Sequence, residues 1–62
     1  MKFEDALTIL IRDIDKIKDD ILFDEDICDA IDTSGVSEQF NILIARNHLD
    51  IAMKTLEILR GY

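Results

Sequence analysis

Apolar residues recur near both ends of the 62-residue chain at alternating intervals of three and four positions. The first set consists of Phe3, Leu7, Leu10, Ile14, Ile17 and Ile21. The second set consists of Ile42, Ala45, Leu49, Ala52, Leu56 and Leu59. An α-helix places residues with this spacing along one side, whereas a β-strand would need alternation at every second residue. The sequence therefore predicts an all-α fold in which two long helices form a hairpin, with the two sets facing each other.

The chain between the two repeats predicts a short additional helix. The first repeat would place an apolar residue at position 24 but finds Asp24, which is a favourable N-cap for a helix over residues 24–32. A first helix that continues without a break to Asp32 is the alternative. Gly35 follows as a C-terminal cap, and Ser37 is the predicted N-cap of the last helix. We expect helices over residues 3–22, 24–32 and 37–60, followed by a frayed end at Gly61-Tyr62.

The chain is small for a stable monomer, because a domain of about 60 residues buries only about 60% of its unfolded surface. Its single cysteine cannot form an internal disulfide. The last helix also carries a second apolar row, Ile44, Ile51 and Ile58, with Met53 nearby. One neighbouring helix cannot cover two sides of the last helix. We therefore expect a homodimer that pairs through these four residues into a helical bundle; the alternative is that the short helix covers the row within one chain.

Negative charge is concentrated in one part of the chain. The net charge is −7, and residues 1–33 hold eleven acids against four bases. Seven carboxylates fall within 14 residues that contain no base: Asp19, Asp20, Asp24, Glu25, Asp26, Asp29 and Asp32. Such a cluster either keeps a small protein soluble or binds a basic surface on a partner. It disfavours direct binding of nucleic acid, which requires clustered Lys and Arg.

No combination of residues matches a catalytic or metal-binding pattern. Cys28 is surrounded by carboxylates, which raise the pKa of a thiol and make it a poor nucleophile. His48 is the only histidine, and beside the second repeat it is expected to be half-buried and hydrogen-bonded. Residues 24–32 lack the glycine and the final glutamate of a calcium-binding EF-hand loop. We expect a non-enzymatic protein without a metal or cofactor.

The location is also an expectation from the sequence. Glu4 and Asp5 stand where a signal peptide would carry bases and an apolar run, and no apolar stretch approaches the length of a membrane span. These features predict a soluble, cytoplasmic protein that does not bind a membrane.

Two resemblances add to these expectations. The size and hairpin layout resemble Rop, the plasmid copy-number hairpin that dimerises into a four-helix bundle and binds RNA, although the acidic surface here differs from that of an RNA-binding protein. Leu49-Asp50 is similar to the Ser-Gln-x-Leu-Asp motif of the small helical-hairpin aspartyl-phosphate phosphatases of spore-forming bacteria. Arg46 and Asn47 replace the Ser and Gln of that motif.

The predicted function is that of a small acidic interaction module or inhibitor. We expect its partner to be a larger protein with a basic surface, such as a nucleic-acid-binding protein, and its role to be of the anti-defence type found in phages and other mobile elements. The alternative is a phosphatase-like regulator of a response regulator. That function requires Asp50, with Asn47 beside it, to face solvent in the middle of the last helix.

Overall fold

A computed structural model describes residues 1–61 and contains three α-helices. Helix α1 spans Phe3–Phe23, α2 spans Glu25–Ser34 and α3 spans Val36–Arg60. Helices α1 and α3 pack side by side over most of their length, and α2 forms the elbow between them. The two long helices run antiparallel, because Thr8 near the start of α1 contacts Arg60 near the end of α3. The predicted all-α architecture of three packed helices is confirmed.

The breaks between the helices follow from two residues. At Asp24 the backbone is extended and the carboxylate accepts a hydrogen bond of 3.0 Å from the Ile27 N–H, so α2 is a separate helix. Gly35 ends α2 with φ +120°, a conformation that residues with a Cβ rarely adopt. Helix α3 begins immediately afterwards at Val36, and Ser37 lies within its first turn instead of capping it. Gly61 ends α3 in a left-handed conformation, and Tyr62 lies outside the described residues.

Helix α1 is rotated relative to the predicted interior. The residues that are buried or half-buried along its inner side are Leu7, Ile11, Ile14, Lys18 and Ile21. The prediction that Phe3, Leu10 and Ile17 also face the interior is wrong, because these three side chains are exposed. Lys18 takes an inner position and is buried, since its ammonium group bonds to Asp50 of α3.

Helix α3 is rotated in the same sense. Its half-buried inner row comprises Ile42, Arg46, Leu49, Met53, Leu56 and Arg60. Ala45, Ala52 and Leu59, which the sequence repeat also assigned to the interior, are exposed. Met53 lies in the same row as Leu49 and Leu56, on the side that faces α1. The polar contacts explain the rotation, because Arg46 donates to the Lys18 carbonyl and Arg60 donates to the Thr8 hydroxyl.

The hairpin is long and thin, with principal extents of 42 × 18 × 14 Å. Its radius of gyration is 13.9 Å, whereas a compact domain of this length has a value of about 11 Å. Among the described residues, Leu7 is the one buried apolar side chain, at 3% exposure. Within residues 1–61, no helix combines the length and apolar content that crossing a bilayer requires. The apolar interior is therefore a narrow strip between two helices.

Truncating that strip should be costly. We expect Leu7→Ala to lower the free energy of unfolding by about 2–3 kcal/mol, because it removes buried methyl groups and leaves a cavity. Leu43→Ala, at an exposed leucine of α3, is the matched control and should cost less than about 1 kcal/mol. Urea denaturation followed by circular dichroism measures both values. Equal losses for the two variants would contradict the burial of Leu7 between the two long helices.

Candidate functional site

The structure brings the seven clustered carboxylates to the elbow end of the hairpin. Asp19 and Asp20 lie in the last turns of α1, Asp24 lies at the junction, and the other four lie on α2. Glu25, Asp29 and Asp32 follow at intervals of four and three residues, so they share one side of α2, with Asp26 beside them. We call these seven residues the acidic edge.

Two members of the acidic edge are already engaged within the chain. The Asp24 carboxylate caps α2, and Asp20 bonds to Lys16 at 2.8 Å, one turn earlier on α1. Asp20 and Asp24 raise the pKa of the Lys16 ammonium by hydrogen bonding and charge. Within residues 1–61, the other five carboxylates make no ion pair, and all five are exposed. The free charge of the edge comes from these five: Asp19, Glu25, Asp26, Asp29 and Asp32.

Cys28 lies on α2 and is half-buried against α1. Its Sγ–H donates to the Ile21 carbonyl at 3.3 Å. The pKa of the thiol is raised, first by its partial burial and then by the negative charge of Asp32, Asp24 and Asp29. The thiol is therefore held in its protonated form, in which it is a weak nucleophile.

A shallow cavity of about 200 Å³ lies beside the acidic edge, where the three helices meet. Its walls are Ile21, Leu22, Ile31, Asp32, Gln39, Ile42 and Leu43. Gln39 closes one side by donating from its amide to the Asp32 carbonyl at 3.1 Å. Pockets that enclose small-molecule ligands usually measure about 300–1,000 Å³. This cavity is smaller than such a pocket and is a notch in the surface of the elbow.

A second charged cluster lies at the middle of the hairpin, and the sequence patterns did not reveal it. Lys18 bonds to Asp50 across the helices at 2.5 Å, and Lys54 bonds to the same carboxylate at 3.1 Å. The hydrogen bonds from Lys18 and Lys54 lower the pKa of Asp50. The signal in the sequence was Ile11, which stands four residues after Leu7 and seven before Lys18. A repeat drawn through Ile11 places Lys18 on the inner side of α1.

The residues of the phosphatase alternative are not equivalent in the structure. Asn47 is exposed on α3. The Asp50 side chain is 34% exposed, but two lysine ammonium groups hold its carboxylate. His48 is exposed and makes no hydrogen bond among the described residues, so the expectation that it is half-buried is wrong. Within residues 1–61, no three histidine, cysteine or acidic side chains converge into a group that could hold a metal ion.

The row of Ile44, Ile51 and Ile58 is exposed on the outer side of α3. Helix α2 does not cover it, because α2 packs at the elbow. Asn47 and Lys54 fall between successive members of this row at helical spacing, so polar groups interrupt the apolar surface.

Comparisons with protein-family models, with curated proteins and with solved structures find no match for the chain.

The Asp50 contacts predict a specific pH dependence of stability. A carboxyl group whose pKa is lower in the folded state stabilises the fold fully above its unfolded pKa of about 3.9 and loses that contribution as the pH falls through the folded value. The difference in unfolding free energy between wild type and Asp50→Asn should therefore stay constant from about pH 7 to pH 5 and shrink below about pH 4. Denaturant titrations at several pH values measure it.

Asp15→Asn, at an exposed carboxylate that makes no ion pair within residues 1–61, is the control for the general loss of negative charge in acid. A wild-type advantage over Asp50→Asn that persisted unchanged to about pH 2 would contradict the role of the Lys18 and Lys54 contacts.

Proposed function

We propose that this protein is a small acidic interaction module that binds a basic surface on a larger protein through the acidic edge. The observation that carries the proposal is the group of five exposed carboxylates at the elbow, none of which is paired within the described residues. Bases present elsewhere on the chain do not neutralise them. Their charge is available to a partner.

The position of these carboxylates suits recognition of an extended basic surface. Four lie on one short helix, and α2 begins with Glu25 and Asp26 at the positive end of its own dipole, which stabilises them there. Lys and Arg groups that meet such an edge gain charge-assisted hydrogen bonds, and the field accelerates encounter at low salt. Screening limits its reach to about 8 Å at physiological ionic strength, so the partner must contact the elbow directly.

The cluster of negative charge at the elbow resembles a nucleic-acid backbone in the sign and density of its charge. Surfaces that bind phosphate groups carry clustered Lys and Arg, and the same clusters complement carboxylates. Nucleic-acid-binding proteins are therefore the class of partner that we propose, with inhibition by occupation of their basic surface as the mechanism.

A binding role is favoured over catalysis by the state of the reactive side chains. The Cys28 thiol has a raised pKa and donates a hydrogen bond to a backbone carbonyl. The Asp50 carboxylate is occupied by Lys18 and Lys54. A phosphatase-like role for Asp50 would require breaking both contacts, and for this reason we do not favour it.

Charge neutralisation on α2 tests the proposal. The test variant replaces Glu25 by Gln and Asp26, Asp29 and Asp32 by Asn, and it keeps Asp24 as the N-cap. Wild type and variant, immobilised, are compared for capture of proteins from the cells that produce this chain, and the captured partner is then purified. Exposed ion pairs contribute about 0.2–1 kcal/mol each, so the Kd should rise about 10- to 100-fold.

A matched control changes the same number of charges elsewhere on the molecule. It replaces Glu4 and Glu57 by Gln and Asp5 and Asp15 by Asn, and it also includes two acids of a first helical turn. The control should change the Kd less than about threefold. A partner that binds both variants equally well, or whose binding does not weaken as salt is raised, would refute a role for the acidic edge.

A further inference from the structure

One side of the hairpin presents an apolar surface built from both long helices. Its members are Phe3, Leu10, Ile17, Ala45, Ala52 and Leu59, all exposed. Leu10 and Ile17 each stand one position before an inner residue of α1, and the three residues of α3 each stand one position before an inner residue of α3. When two helices run antiparallel, a residue one position before an inner residue turns toward the same side of the hairpin on both helices. We call this surface the apolar face.

The opposite side of the hairpin is polar over most of its length, and its exposed apolar residues near the elbow are Leu22 and Leu43. Asp50 and Glu57 stand one position after inner residues of α3, and Thr8 and Asp15 stand one position after inner residues of α1. The bonds from Lys18 to Asp50 and from Arg60 to Thr8 lie toward that side. The two sides of the hairpin therefore differ in polarity along most of their length.

The surface area of the hairpin is too large for a compact monomer. The accessible surface is 4786 Å², whereas a folded monomer of this mass exposes about 4,100 Å². The excess of about 700 Å² is close to the roughly 800 Å² that each partner buries in a stable interface. An elongated shape and a narrow interior account for the excess. A second hairpin of equal size that covers the apolar face would bury this excess accessible surface.

We propose that a second copy of this chain covers the apolar face, so that two hairpins stack into a four-helix bundle. The two-fold axis runs along the hairpin, and α1 of one copy packs against α3 of the other. Ala52 lies at the level of Ile17 of the second copy and presents no bulk beyond a methyl group, so it leaves room for that exposed side chain.

Charge at the border of the apolar face favours this arrangement, although the two-fold axis along the hairpin places both acidic edges at the same end. On α1 the border carries Asp13 and Asp20, whereas on α3 it carries Asn41, His48 and Thr55. Stacking α1 on α1 would bring carboxylates of the two copies together, which is unfavourable. Stacking α1 on α3 places Asp20 at the level of His48 and Asp13 at the level of Thr55, because Lys18 and Asp50 fix the level of the two helices.

The row of Ile44, Ile51 and Ile58 is a weaker interface for self-association. It lies on one helix, so it offers a narrower surface than a face made by two helices. Asn47 and Lys54 interrupt it, and an interface through this row would have to desolvate the Lys54 ammonium that bonds to Asp50. Dimerisation through the apolar face involves none of the five unpaired carboxylates, so it can be tested on the purified protein without the basic partner.

Aspartate substitutions on the two surfaces separate the two interfaces. Ile17→Asp and Leu59→Asp alter the apolar face from α1 and from α3, at side chains that are 48% and 60% exposed. Ile51→Asp and Ile58→Asp alter the outer row of α3, at side chains that are 61% and 70% exposed. Sedimentation equilibrium over a range of concentrations gives the dimer dissociation constant, and circular dichroism checks that each variant is helical.

We expect the wild type to sediment at twice 7.1 kDa. Each substitution on the apolar face should raise the dissociation constant at least about tenfold, because it buries a carboxylate in an apolar interface. Each substitution in the outer row should change it less than about threefold. If the Ile17→Asp variant loses helical structure, the comparison of Leu59→Asp with Ile58→Asp, at neighbouring positions of α3, decides between the apolar face and the outer row. A monomeric wild type, dissociation caused by the outer-row variants alone, or equal effects of all four variants would overturn the proposal.

Discussion

The ion pair between Lys18 and Asp50 is the contact on which the arrangement of the hairpin depends. Lys18 is a buried residue on the inner side of α1, and an ammonium group removed from water needs a carboxylate within hydrogen-bonding distance. Asp50 supplies it from the middle of α3 at 2.5 Å. Sliding one helix by a turn, or rotating either helix outward, would leave that charge unpaired. The pair therefore fixes both the level and the rotation of the two long helices.

That rotation determines which apolar residues remain outside. With Lys18 and Arg46 placed between the helices, half of each apolar repeat turns toward one side of the hairpin. The interior is correspondingly poor in apolar side chains, and Leu7 is its one buried apolar residue among the described residues. A monomer with so little buried apolar surface has a small margin of stability. The same polar contacts that specify the hairpin leave the apolar face uncovered, and a second copy would supply the missing burial.

The proposed surfaces for self-association and for a basic partner are separate on the molecule. The five free carboxylates lie at the elbow and on α2, whereas the apolar face runs along α1 and α3. Asp24 caps α2, and Asp20 pairs with Lys16, so these two carboxylates stabilise the fold within the chain. A dimer formed through the apolar face would keep both elbows accessible and would present two acidic edges to its partner.

The sequence by itself determined the helical fold, the separate short helix after Asp24, the turn at Gly35 and the clustering of carboxylates in its first half. These features follow from local rules, namely periodicity, capping and the permissiveness of glycine. It could not determine how each long helix is rotated. On α1, Leu7, Ile14 and Ile21 belong equally well to two helical repeats. One repeat continues through Phe3, Leu10 and Ile17, and the other continues through Ile11 and Lys18. The sequence also could not show that Met53 faces α1 or that Asp50 is held by two lysines. Only the tertiary structure decided these, since the cost of burying a lysine is met by a contact 32 residues away in the chain.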